Sequence, residues 1–406
     1  MAYFAGGCVR DRVMGREPKD FDVATSALPE QVLGLFPHSR HVGAAFGVVL
    51  VREKMPRRTN VAPPEPFTPA QVEVATFRAE GTYTDGRHPD SVRFTDARED
   101  AARRDFTCNG IFFDPTNNEL HDFVGGREDI EKRVLRAIGE QQHRFGEDHL
   151  RMLRAIRFAA KLQFEIEAGT WQAIRDLAKH ITAISRERIG GELRLILEHP
   201  SRARAMKLLQ ESALLTHNWP AELRAAGSPD WERLSELPAE TPFIPALVRV
   251  HEILSAGVSP IEPALAAEKL RERFALSNQE TGEFQWLYTH VSRTLPAAHD
   301  HLGHLRLSAL KRLMADPRWP HLLLLHHTAP LPPEQIRAED AILVKASSEE
   351  VAPEPFVSGD VLKSLGAVPG PHFKKWLEAL YDRQLENEFF SRDAALAAAR
   401  ELIKGR

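Results

Sequence analysis

Gly6-Gly7-Cys8-Val9-Arg10-Asp11, followed by Pro18-Lys19-Asp20-Phe21-Asp22-Val23-Ala24-Thr25, brings a glycine pair, an arginine and two spaced carboxylates close together near the N-terminus. The run from Phe21 to Ala24 reads as a strand. Side chains alternate faces along a strand, so Asp20 and Asp22 are expected to project the same way. Two neighbouring carboxylates raise each other's pKa unless a cation sits between them. A hard, oxygen-seeking ion such as Mg²⁺ suits the pair and brings substrate phosphates with it. Gly6 and Gly7 have no side chains, so backbone N–H groups there can approach a phosphate, and Arg10 can clamp one. Asp-x-Asp also occurs on solvated strand ends, so the pair alone leaves both readings open.

Outward from this stretch, Tyr3-Phe4-Ala5 is expected to run as a strand into the glycines, with a short helix from Val9 to Met14. Leu28 to Phe36 reads as a helix with Pro29 in its first turn. Phe46 to Val51 and Val72 to Phe77 read as strands of an antiparallel hairpin, the second carrying Glu73. Between them, the proline-rich residues 53–70 read as a surface loop. Arg78 to Asp90 is polar and loop-like, and Val92-Arg93-Phe94, Ile111 to Phe113 and Leu120 to Phe123 add apolar strand runs. After Gly126 the strand signals nearly vanish. From Glu147 the period is helical, and Asp148, Arg151, Arg154, Arg157 and Lys161 fall on one polar stripe opposite Met152, Ile156 and Ala159. Further amphipathic segments follow at about 170–180, 186–198, 201–215, 245–256, 264–275, 305–315 and 358–403.

The 406 residues, 43% of them hydrophobic, suffice for two to four domains. A formal net charge of −4 excludes a global basic field, although a local basic groove is compatible with it. Two cysteines, Cys8 and Cys108, offer neither a disulfide framework nor a thiolate zinc site, which fits a reducing compartment. The longest uncharged apolar run, Val42 to Val51, is too short to span a bilayer, and no basic-then-apolar leader is seen. A soluble cytoplasmic protein with no membrane association is the expectation.

Glu73 is expected on a strand next to Asp20 and Asp22, so three carboxylates can converge. With two divalent ions they match the clamp of phosphoryl transfer; without them Glu73 is a surface strand glutamate. Arg103-Arg104-Asp105 offers bidentate phosphate donors beside an acceptor for a ribose hydroxyl, or else a charged helix end with local salt bridges. Asp148 and Arg151 present acceptors and paired donors that can read a base edge, or else form an i,i+3 helix salt bridge. His299-Asp300-His301 with His304, and His326-His327, lack further ligands at defined spacing and are read as non-metal.

Together these strings resemble the head of class II tRNA nucleotidyltransferases and bacterial poly(A) polymerases. The matching pieces are Gly6-Gly7-x-Val9-Arg10-Asp11, Asp20-x-Asp22, Glu73-Val74-Ala75-Thr76-Phe77-Arg78, Arg103-Arg104-Asp105-Phe106-Thr107 and Glu147-Asp148-x-x-Arg151-x-x-Arg154. Ser185 to Leu193 is similar to the neck helix motif of the same family. The resemblance implies an α/β N-terminal head, a polymerase-β-like nucleotidyltransferase palm with a mixed sheet, followed by an all-α neck, body and tail. The expected boundaries are 1–125, 126–215, 216–345 and 346–406. It further implies catalytic Asp20, Asp22 and Glu73, with Asp20 and Asp22 holding two Mg²⁺ ions. Gly6, Gly7, Arg10, Arg104, Asp105, Asn109, Asp148, Arg151 and Arg154 would bind the nucleotide, with Asp148 and Arg151 choosing CTP or ATP over G and U. The implied partner is a tRNA 3′ end, to which C, C and A are added with release of pyrophosphate.

Poly(A) polymerase, partial A-adding or CC-adding enzymes, and a catalytically silent RNA-binding protein are the alternatives. Val357-Ser358-Gly359-Asp360-Val361-Leu362 with Gly366 and Pro369-Gly370-Pro371 is similar to CCA-adding tails, and the loop Ala79 to Ser91 is full length, which favours terminal A addition. Two departures stand out. Family members usually have a helix before the first strand, so the start here is read as shortened or reassigned. The 53–70 insertion is also longer than the family's hairpin.

Overall fold

The computed structural model describes residues 1–42, 47–52, 71–81, 91–225, 227–256, 261–294, 305–328, 340, 343–344, 346–347 and 350–404. The proline-rich 53–70, residues 82–90 of the long loop, and the His299, His301 and His304 cluster lie outside them. The chain forms two compact units, Met1–Glu222 with Glu272–Ala275, and Leu223–Arg271 with Leu276–Arg406.

The first unit opens with β1 (Ala2–Ala5), α1 (Gly7–Val13), β2 (Asp22–Thr25), α2 (Pro29–Leu35), β3 (Arg40–His41), β4 (Val48–Arg52) and β5 (Gln71–Thr76). After β6 (Arg78–Glu80), β7 (Val92–Phe94) and α3 (Ala97–Ala102) come β8 (Ile111–Asp114) and β9 (Glu119–Asp122). Seven strands form one mixed sheet in the order β3-β4-β5-β2-β1-β8-β9. β4 and β5 pair antiparallel, as the hairpin reading expects, and β5 lies parallel to β2. Alternation decides which face is buried. Tyr3 and Ala5 of β1 join Ala24, Phe77, Ala97, Ala101 and Phe112 in a core under α3, whereas Phe4 packs on the opposite face beside Phe21 and Phe113.

Two local expectations are corrected. Asp20 is not on the strand: β2 begins at Asp22, and Asp20 sits in the bend before it. Pro18 and the polar run ahead of Phe21 keep the chain out of the ladder there, so strand alternation does not align the two aspartates. Arg78–Glu80, read as loop, pairs with β7 in a separate two-stranded sheet.

α4 (Gly126–Glu131), β10 (Val134–Leu135) and α5 (Gln141–Glu147) lead into α6 (Leu150–Leu162), whose apolar side is buried through Met152, Leu153, Ile156 and Ala159. β11 (Glu165–Ile166), α7 (Ala168–Leu177), α8 (Arg186–Leu197), α9 (Arg202–Glu211) and α10 (Leu214–Asn218) follow, with α8 and α9 both packed on α6. Gly190 of α8 is where residues 272–275 close on the unit. A Cβ there would lie 2.1 Å from the Phe274 carbonyl oxygen. Gly190→Ala is expected to destabilise this unit by about 1–3 kcal/mol or more, through overpacking against backbone that cannot turn away. Gly191→Ala, with nothing within 4 Å of its Cβ, is expected to be neutral or slightly stabilising, since alanine is the better helix former. Paired thermal melts measure both.

The second unit is helical: α11 (Phe243–Ser255), α12 (Pro263–Phe274, whose last residues belong to the first unit), α13 (Asn278–Thr294), α14 (Leu307–Met314) and α15 (Trp319–His327). The segment read as one helical piece from 358 is three helices, Gly359–Ser364, Pro371–Leu385 and Arg392–Lys404. Gly366 with φ 89° and the Pro369-Gly370-Pro371 run break the first junction. No helix among the described residues is long and apolar enough to cross a membrane.

Candidate active site

A cleft of about 680 Å³ in the first unit gathers Gly6, Gly7, Arg10, Asp22, Arg104, Asp105, Asn109, Asp148, Arg151 and Arg154, with Arg78, Glu80, Arg103, Leu150, Phe158 and Arg188. Every nucleotide-binding position expected from the sequence lines it. Seven arginines face four carboxylates there, an excess of positive charge suited to a polyphosphate.

β-sheet register builds one end. Ala5 pairs with Asp22 across β1 and β2, so the glycine turn after β1 is delivered beside Asp22. Gly6 has φ 73° and ψ −133°, outside the left-handed helical region and readily open only to glycine. A Cβ there would lie 3.4 Å from Arg104 Nη1 and 3.7 Å from Asp22 Oδ2. Asp22 is level with Glu73 in the parallel β2–β5 pair, which places the two residues on one face. Partial burial raises the Asp22 pKa; the Arg104 charge opposes this, and the Asp20 charge adds to it. Asp20 is therefore near Asp22 even though it lies off the strand. Glu73 is exposed, and neither it nor Asp20 lines the cleft. Among the described residues no group of three or more such side chains gathers tightly enough to hold an ion alone. The three carboxylates expected to converge thus do not close into one tight cluster here.

The arginines are held, and by residues the sequence reading passed over. Asp100, 1% exposed on α3, accepts from Arg103 at 2.9 Å, from Arg104 at 3.0 Å and from the Arg78 backbone N–H at 3.2 Å. Glu80 accepts from Arg78 at 2.7 Å and Arg103 at 3.1 Å. The charged helix end with its local salt bridges is present, and those bridges hold Arg103 and Arg104 at the cleft. An acid three and four residues before an arginine pair is the visible signal for it.

Asp105 carries more contacts than its expected ribose role needs. One oxygen accepts from Arg154 Nε at 3.1 Å and Nη2 at 2.8 Å, and the other from Asn109 at 3.1 Å and the Phe106 N–H at 2.8 Å. Burial pushes its pKa up, but the Arg154 charge and these hydrogen bonds outweigh it and hold the carboxyl below its ordinary value. These bonds occupy its acceptor capacity, so Asp105 anchors Arg154 and Asn109. Asn109 accepts in turn from Arg10 Nη1 at 2.9 Å. Phe158 ties the set together: its ring lies 4.4 Å from the Arg157 guanidinium, 5.3 Å from that of Arg154 and 5.5 Å from that of Arg10, each drawn to the negative ring face.

At the other end, the Asp148/Arg151 helix pair is corrected. Asp148 precedes α6 in extended backbone, with φ −151°, so the stripe begins at Arg151. Arg151 bonds Glu147 and, at 3.0 Å, the Arg144 carbonyl. Asp148 is held instead by Arg188 of α8 through a two-pronged pair at 3.1 and 2.7 Å. The sequence carried no sign of this partner, which is 40 residues away. Arg188→Ala is expected to leave the protein folded and to cut kcat/KM for the preferred nucleotides about tenfold, because Asp148 loses the fork that aims it. Steady-state kinetics with each of the four nucleotides measures this.

The two cysteines have no part in this chemistry. Cys8 is pushed up by burial, and burial takes Cys108 to about 12, so both are thiols at neutral pH.

Comparison with known proteins agrees with this geometry. Residues 2–136 match the poly A polymerase head domain, and residues 163–221 match a probable RNA- and SrmB-binding site of polymerase A. The CCA-adding enzyme of Geobacillus stearothermophilus is 33% identical over 402 residues, 95% of this chain and 90% of that protein. That of Staphylococcus aureus is 42% identical over 193 residues, 47% of this chain and 44% of that protein. Among solved structures, the Bacillus stearothermophilus CCA-adding enzyme in complex with CTP is 28% identical with a TM-score of 0.77, covering 100% of this chain and 95% of that one. The Thermotoga maritima CCA-adding enzyme complexed with tRNA shares the fold at 20% identity, with a TM-score of 0.65 over 99% of this chain and 91% of that one. Similarity of this extent, running the length of the chain and laid over a cleft that pairs a carboxylate-bearing sheet end with anchored arginines, makes the chain a member of the CCA-adding enzyme family of nucleotidyltransferases.

Proposed function

We propose that this protein adds C, C and A to the 3′ end of tRNA from CTP and ATP, releasing pyrophosphate. One observation supports the reading: a single cleft is lined by Asp22 with Arg10, Arg103 and Arg104 and also by Asp148 and Arg151. Members of the family generally depend on a divalent metal, and the donor set here fits one. Asp20 and Asp22 are hard oxygen donors whose charges repel, and Arg104 opposes that repulsion at Asp22; Mg²⁺ commonly takes only one or two carboxylates beside substrate phosphates. Two Mg²⁺ ions bound there would stabilise charge on the attacking and leaving oxygens of an in-line displacement.

The chain's own residues do the rest. Gly6 and Gly7 let backbone approach the triphosphate, and Arg10, Arg103 and Arg104, fixed by Asn109, Asp100 and Glu80, bind its oxygens without moving. Asp148 accepts from the exocyclic amino group of cytosine or adenine while Arg151 donates to the adjacent ring nitrogen. Guanine and uracil present a carbonyl and a ring N–H at those places, so each group would meet its own kind and a buried polar atom would go unpaired. Arg154, locked by Asp105, backs the same pocket. No template strand is needed, since protein side chains supply the partner edge.

Labelled tRNA lacking its 3′ end, incubated with CTP and ATP singly and together, tests the reading by product size. Arrest after three additions is expected. A ladder of A residues on any RNA end would mean polyadenylation, and arrest after two a CC-adding enzyme.

A further inference from the structure

Arg144, on α5, does not line the nucleotide cleft. It lines an adjoining cavity of about 350 Å³ that shares Arg103 and Glu80 with the cleft. Its side chain is only 13% exposed, and the guanidinium ties several elements together. Nη2 donates to the Ala102 carbonyl at 2.5 Å and Nη1 to the Arg103 carbonyl at 3.2 Å. Nη1 also donates to Glu147 at 3.0 Å, and Nε to the Ile138 carbonyl at 3.0 Å.

The first two carbonyls belong to the last residue of α3 and to its cap. The final carbonyls of a helix find no partner within it, and the helix dipole favours a cation there. Arg103 and Arg104 leave α3 at this point, so Arg144 fixes the backbone from which the proposed phosphate clamp projects. The same residue reaches the base-reading group. Glu147 accepts from both Arg144 and Arg151, and the Arg144 carbonyl accepts from Arg151 Nη1 at 3.0 Å. Between α5 and α6 the chain breaks at Asp148, with φ −151° and ψ 103°. Helical geometry therefore does not fix one helix on the other, and the side chain and carbonyl of Arg144 span the break.

We infer that Arg144 is a positioning residue, setting the placement of Arg151 relative to Arg103 and Arg104 and so the alignment of the bound nucleotide for attack. One guanidinium bonded to both ends of the cleft's wall lets neither end drift without the other. The residue type agrees. A planar guanidinium carries five N–H donors in a rigid fork and can serve two carbonyls and a carboxylate together, whereas a lysine ammonium is a mobile point charge. Misplacement by about 1 Å can cost about a hundredfold in rate, even from a residue that never touches substrate. The inference rests on the proposed base-edge role of Arg151 and names what holds it in register with the phosphate end.

The test is steady-state kinetics on tRNA lacking its 3′ end with each of the four nucleotides, and a thermal melt of each sample. Parent, Arg144→Lys, Arg151→Ala and the double variant are compared, with Arg98→Ala, an exposed arginine on α3 resting over Phe123, as control. Arg144→Lys keeps a cation at the end of α3 and is expected to melt near the parent. Its kcat for CTP should fall about ten- to a hundredfold with little change in KM, and its preference for CTP and ATP over UTP and GTP about tenfold. Arg144→Gln, whose amide can still donate to one carbonyl, is the second variant, with the same losses expected. In the double variant selectivity should match Arg151→Ala alone, because Arg144 acts through Arg151. Parent kcat and selectivity in a folded Arg144 variant would overturn the assignment. So would additive losses of selectivity, or a raised KM with kcat intact, which marks direct binding of substrate. Parent selectivity in Arg151→Ala would refute the base-edge reading and this coupling with it. Selectivity lost there but kept in the Arg144 variants would overturn the coupling alone.

Discussion

Asp22→Ala is expected to lower nucleotide incorporation by about a thousandfold or more while folding and RNA binding stay intact. Asp22 is the carboxylate of the Asp-x-Asp pair that lines the cleft, and it stands beside both the glycine turn and Arg104. Removing a group that organises charge at the reacting phosphate forfeits several kcal/mol of transition-state stabilisation, each 1.4 kcal/mol being about tenfold in rate. Stability should not suffer. The Asp22 carboxyl is destabilised where it sits, by burial and by Asp20, so its loss relieves repulsion and costs no core contact. Incorporation of labelled CTP, with a thermal melt on the same sample, measures both. Near-parent activity in a folded variant would remove Asp22 from the reaction centre.

Arg151→Ala should be the largest change in selectivity. One well-aimed bidentate contact discriminates by about 1–3 kcal/mol, so preference for CTP and ATP over UTP and GTP is expected to fall about ten- to a hundredfold. Arg151 is set by Glu147 and the Arg144 carbonyl, and the fork direction matters as much as the charge. Arg151→Lys is therefore expected to lose selectivity too, though it keeps the cation. The measurement is kcat/KM for each of the four nucleotides. If UTP and GTP stayed excluded as before, the base edge would be read by other groups.

Much of the sheet was legible because its signals are local. The hairpin of β4 and β5, the paired runs of β8 and β9, and the glycine turn after Ala5 follow from apolar alternation and from chain punctuation. The positions lining the cleft were legible for a different reason. Glycines, arginines and carboxylates at these spacings are the few residue types that metal-assisted phosphoryl transfer accepts, and the nucleotide-binding positions expected from them line the cleft. Illegible positions fall into two kinds. Asp20 was put on the strand because alternation cannot show where a ladder begins; that depends on which backbone groups find partners on β1 and β5. The α13 helix went unread, and α15 did too because its apolar residues, Leu322 to Leu325, form one continuous run without a helical period.

The sequence by itself thus determined most strands of the sheet, the family resemblance and the residue types that line the cleft. Each of these is set by local periodicity or by residue chemistry at short spacing. Only the tertiary structure decided the partners. Asp148 takes Arg188 from a helix 40 residues on in place of Arg151 three residues away, and Asp105 is spent on Arg154. Phe158, an apolar residue on the polar stripe's own helix, is the ring against which Arg10, Arg154 and Arg157 rest. The physical reason is that an ion pair is chosen by distance and desolvation in the folded chain. Sequence spacing limits those choices only within a helix turn or along one strand.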